Sequence, residues 1–102
     1  MSTNSTILLF NATAPVTGKW KTGNGRAPTF DASVTGPGAV SAEVAIEVRN
    51  TPEGPPALLG TITLSGTDIA ADGFGYPAHF SEYRARVVSV SPGASVTAAL
   101  GG

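Results

Sequence analysis

Residues 40–49 read Val40-Ser-Ala-Glu-Val-Ala-Ile-Glu-Val-Arg49. Val40, Ala42, Val44, Ile46 and Val48 fall on one side of a period of two, and Ser41, Glu43, Ala45, Glu47 and Arg49 fall on the other. A strand turns successive side chains to opposite faces, so this alternation predicts a strand with one buried face. A helix would scatter the valines around its barrel, and β-branched residues fit a pleated surface better than a helix.

The same period recurs outward from this stretch. Phe30, Ala32 and Val34 alternate with Thr29, Asp31 and Ser33; Leu58, Gly60, Ile62 and Leu64 alternate with Leu59, Thr61, Thr63 and Ser65; Val96, Ala98 and Leu100 alternate with Ser95, Thr97 and Ala99. From Tyr83 to Val90 the apolar face switches near Val87-Val88, which predicts a bulge or a strand buried on both faces. Ile7-Leu8-Leu9-Phe10 is short, but the flanking threonines and Pro15 favour a strand.

Between these runs stand turn-rich segments at residues 15–18, 23–25, 36–38, 51–56 and 91–93. The 13 glycines and 8 prolines are spread as punctuation, which predicts many short elements joined by turns. The expected fold is all-β: one domain over residues 1–102, an antiparallel β-sandwich of jelly-roll or immunoglobulin-like type with about seven to eight strands. A small barrel shares the same pattern. Residues 1–14 are expected to form an extended N-terminal arm or strand. Residues 34–44 and 90–100 echo each other, each a strand end, a Pro-Gly-Ala turn and an alternating strand. Two hairpins with the same turn chemistry would account for that, and so would a duplicated half-domain.

Charge and composition exclude several functions. Charged residues are 13% of the chain and the net charge is −1, so there is no basic stripe for a phosphate backbone and no nucleic-acid partner is expected. So low a charge on so small a chain suggests that part of its surface is covered in the working state. A chain of 102 residues buries roughly 60–70% of its unfolded surface, so partner contacts add usefully to its stability. With no cysteine there is no disulfide, thiolate nucleophile or zinc–sulfur site. The start MSTNST offers no secretion signal, and no apolar run reaches membrane-spanning length.

The densest polar and aromatic stretch is residues 66–90, GTDIAADGFGYPAHFSEYRARVVSV. Asp68 and Asp72 lack the alternating ligand spacing of a calcium loop, and Asp-Gly is a common turn pair. His79 is the only histidine, with no serine elbow to serve. Glu43 and Glu47 share a strand face, read as solvated rather than as a glycosidase pair. The stretch therefore reads as a long connection crossing between sheets, anchored by Phe74, Tyr76 and Phe80. No catalytic residue, cofactor or metal is expected. Residues 18–26 read as an exposed ribbon with Trp20 between Lys19 and Lys21; a tryptophan beside cations fits a contact surface, and one plugging the core fits equally. The expected partner-contact residues are Ile7, Leu8, Phe10, Lys19, Trp20, Lys21, Arg26 and Tyr76.

Six segments carry a family resemblance: residues 29–34, Glu47-Val-Arg-Asn50, Leu-Gly-Thr-Ile-Thr-Leu-Ser-Gly-Thr over residues 59–67, Asp72-Gly-Phe74, residues 83–90, and Val96-Thr97. In this order they resemble small structural proteins of tailed-bacteriophage virions, over about three quarters of the chain. The chain departs from that pattern at Phe80-Ser-Glu, where a tryptophan often stands, and at residues 51–56, which replace an Asn-Asp-Gly-x-x-Trp segment. The resemblance implies a non-enzymatic virion protein made in the host cytoplasm. It would be a capsid decoration (cement) protein on the capsid surface, or a head–tail or tail accessory protein. Its implied partners are the major capsid protein or other virion proteins and copies of itself, as a dimer or trimer. A looser likeness to galactose-binding-like jelly rolls keeps a carbohydrate-binding module as the alternative.

Overall fold

The computed structural model describes residues 6–23 and 25–101. Seven strands follow in order: β1 (Thr6–Ala12), β2 (Val16–Thr17), β3 (Lys21–Thr22), β4 (Thr29–Arg49), β5 (Ala57–Gly75), β6 (Glu82–Val90) and β7 (Ser95–Gly101). All belong to one antiparallel sheet, in the order β1-β7-β4-β6-β2, with β3 also on β6 and β5 also on β4. The sheet curls nearly into a barrel.

Its long axis is the β4–β5 hairpin. The first half of β4 lies between β7 and the second half of β5, and its second half lies between β6 and the first half of β5. The two halves meet at Gly36-Pro37-Gly38, a mid-strand irregularity where the β4–β5 register shifts between Thr35 and Ala39. Two strands and a turn were expected here. The glycines and proline instead bend one 21-residue strand. Gly38 takes a left-handed φ of 77°, and its N–H donates to Asp68 Oδ1 at 2.8 Å from the matching corner of β5. Asp68 itself sits at φ 66°. The two bends are thus tied together, and the sheet folds over its own apolar face.

Inside lie Phe30, Ala32 and Val34 from one half of β4 and Val40, Ala42, Val44, Ile46 and Val48 from the other, all buried in one core with Tyr83, Ala85, Val87 and Val96. Phe30 and Tyr83 meet across this core with ring centroids 5.5 Å apart. Val88 is the bulge: β6 pairs Ser89 with Glu43 and Val87 with Val44, skipping one residue.

Two seams close the fold. On one side, Gly18 donates its N–H to Ala85 O at 2.8 Å, and a Cβ on Gly18 would lie 2.8 Å from Leu8 O. That approach brings β1 against the β2 segment. On the other side the halves of β5 touch each other: a Cβ at Gly60 would lie 2.7 Å from Phe74 Cζ, and one at Gly66 would lie 3.1 Å from Ala70 Cβ. The long connection expected from residue 66 up to the strand opening at Tyr83 is therefore corrected. Residues up to Gly75 continue β5 and re-pair with the first half of β4, and the connection to β6 is short.

Candidate contact surface

The outer face of β4 and β6 is built from charges set opposite one another by register. Glu47 faces Arg84 and Arg49 faces Glu82. Arg84 Nε donates to Glu47 Oε1 at 2.7 Å, Arg86 Nε to Glu47 Oε2 at 3.3 Å, and Arg49 Nε to Glu82 Oε1 at 2.7 Å. Glu47 is not the solvated residue expected, since its side chain is only 12% exposed. Trp20 lies over this ladder. Its indole has the Arg49 guanidinium 4.3 Å and the Arg84 guanidinium 4.4 Å from the ring centroid. A cation over an indole face contributes about 0.5–1 kcal/mol where exposed and more where water is excluded. Trp20 is held in place because the next residues, Lys21 and Thr22, pair with Tyr83 and Glu82 at the end of β6. It is neither a core plug nor a free anchor, and its half-buried ring leaves an edge to solvent.

The other contact residues scatter. Leu8 is 3% exposed and belongs to the chain's own core, so it is corrected out of any surface set; β1 turns its side chain inward. Its neighbours Ile7 and Phe10 are 50% and 71% exposed. Both lie on β1, which pairs with β7 of the same chain over Thr6–Ala12, so this part of the arm is an internal strand. Residues 1–5 lie outside the described residues. Lys19 and Arg26 are exposed, and Lys21 is half-buried. Trp20, Lys19 and Lys21 are adjacent, while Ile7 and Phe10 lie on β1, which meets this segment at the Gly18 seam.

Tyr76 sits elsewhere again, at the β5 seam. Leu59, Gly60, Thr61, Ile62, Asp72, Gly73, Phe74 and Tyr76 line an open cleft of about 360 Å³. A chain of rings runs inward from it, Tyr76–Phe80 at 6.1 Å, Phe80–Tyr83 at 6.3 Å and Tyr83–Phe30 at 5.5 Å. Tyr83 accepts the Phe80 N–H at 2.6 Å, which pins the connection as the aromatic spacing predicts. Asp68 and Asp72 both accept backbone N–H groups, from Gly38 and Gly73, and His79 is exposed.

Sequence reasoning missed the free side of β5. Leu58 and Ile69 on this strand are 63% and 61% exposed, and among the described residues the strand pairs with β4 only.

No family model matches the chain, and no curated protein matches it in sequence. Its fold is similar to that of a solved structure, the SPBc2 prophage-derived protein YomS, with a TM-score of 0.66 at 15% identity, covering 98% of this chain and 92% of that one. At that identity the likeness is one of fold.

Proposed function

We propose that the chain is a non-enzymatic structural protein of a tailed-phage particle, acting as a capsid decoration protein that stabilises the head through many weak protein contacts. The observation that carries the reading is the agreement of two independent likenesses. The order of strand motifs resembles phage structural proteins, and a prophage-derived protein has a similar fold over nearly the whole chain. The surface supports it. Exposed apolar residues lie on β1 and β5, and the Trp20 face presents charge already neutralised within the chain. Such a surface suits docking onto a protein lattice, where repetition makes individually weak contacts sufficient. The two-layer, sandwich-like description of the curled sheet belongs to the same reading.

The test is pelleting with particles purified from the strain that carries the gene. Saturable co-sedimentation, with no glycan bound on an array, supports decoration. Glycan binding that disappears in Tyr76→Ala, with no binding to particles, would replace this reading with the carbohydrate-binding one. Tyr76 is the residue to test because it lines the cleft together with Asp72 and Thr61, the kind of aromatic and polar lining that sugars use.

A further inference from the structure

Four segments of the sheet have a side with no hydrogen-bonded partner strand among the described residues, and three of them are protected. β1 carries register shifts on both sides of Leu9 and a left-handed Asn11 at φ 52°. β2 and β3 are two residues long, with Pro15 before them and Lys19 between them. Bulges, short length, lysine and proline are the devices by which sheets avoid edge-to-edge pairing. β5 has Pro56 before it and a register shift between Leu58 and Gly60, and none of these devices beyond that point in its first half. From Gly60 to Thr67 it runs in unbroken register with β4, and residues 57–67, ALLGTITLSGT, contain no charge and no proline. Thr61, Thr63 and Ser65 are exposed on its outer face, while Ile62 and Leu64 face the core.

We infer that this edge pairs with the same edge of a second copy, antiparallel about a two-fold axis at Thr63. The sequence is complementary to itself in that register. Thr63 stands opposite the second copy's Thr63, Thr61 opposite its Ser65, and Ile62 opposite its Leu64. Each strand keeps its apolar side inward and its hydroxyl side outward, as an antiparallel pair requires. Threonine–threonine and threonine–serine pairs are favourable cross-strand neighbours, and no like charges meet. Two-fold pairing uses up both edges, so assembly stops at a dimer instead of growing into a fibre. A different protein would have to offer a strand of matching length without charges, whereas a second copy always does. The inference rests on the β5 edge alone, so its failure leaves particle binding untouched.

The experiment is light scattering on the purified full chain, with Thr63→Lys and Thr63→Cys. Wild type is expected to approach twice its 10.2 kDa mass as concentration rises over about a hundredfold range. Thr63→Lys places two ammonium groups opposite each other and is expected to stay monomeric, with unchanged circular dichroism and with the melting of wild type at concentrations where wild type is also monomeric. Thr63→Cys brings the only two thiols of the pair to a cross-strand separation of about 4.5–5.5 Å. It is expected to oxidise to a covalent dimer far faster than Thr29→Cys on the exposed face of β4. A monomeric wild type at every concentration, including one that pairs only with another protein's strand, overturns the inference. So does a dimer that survives Thr63→Lys, or equal cross-linking by the two cysteine variants.

Discussion

The indole of Trp20 draws its partners from two strands far away in sequence, Arg49 on β4 and Arg84 on β6. Trp20→Ala removes two cation–π contacts and exposes apolar surface, and is expected to cost about 1–3 kcal/mol in urea unfolding with an unchanged m-value. Loss of the fold would mean that the ring does more than cover the charge ladder. Glu47→Gln leaves Arg84 and Arg86 without their carboxylate and is expected to cost about 1 kcal/mol, a modest value because water still reaches the pair. The two changes share Arg84, so the double variant is expected to lose less than the sum of the single ones. Trp20 among cations could be read from Lys19 and Lys21. The arginines that actually hold it could not, because only the β4–β6 register brings them there.

At the scale of the strands, the bent β4–β5 hairpin decides the shape. Gly60→Val drives a side chain into the Phe74 ring and is expected to destabilise by about 1–3 kcal/mol; Phe74→Leu in the same chain is expected to recover part of that loss by giving room. Gly38→Ala meets no neighbouring atom, yet its φ of 77° makes it strained by about 1 kcal/mol, while Gly38→Asn is expected to cost less. Chemical denaturation of the four variants distinguishes crowding from backbone strain. The second half of β4 was legible because its alternation runs unbroken for ten residues and its β-branched side chains all face the core. The bend was not. A Gly-Pro-Gly bulge and a Pro-Gly hairpin turn use the same residues: Gly38 inside β4 and Gly93 in the β6–β7 turn both sit at left-handed φ, 77° and 79°. What separates them is whether β5 follows around the corner, and the small residues Ala70, Ala71 and Gly73 give that half of β5 too weak a period to read. The two-residue strands β2 and β3 fall below any period.

For the whole molecule, sequence alternation and turn spacing were sufficient for an antiparallel all-β fold, because both follow from local chemistry. The open side of β5 was illegible, since a strand's edge is defined by which strands fail to reach it. On the proposed reading that edge and the exposed side chains of β1 are two contact surfaces, an arrangement suited to bridging neighbours. The particle reading is tested most directly by quantitative mass spectrometry of virions purified from the strain carrying the gene. The account predicts the chain in a fixed, many-copy ratio to the major capsid protein, retained through repeated purification. Its absence from clean particles, with the chain found only in the soluble fraction, would contradict it.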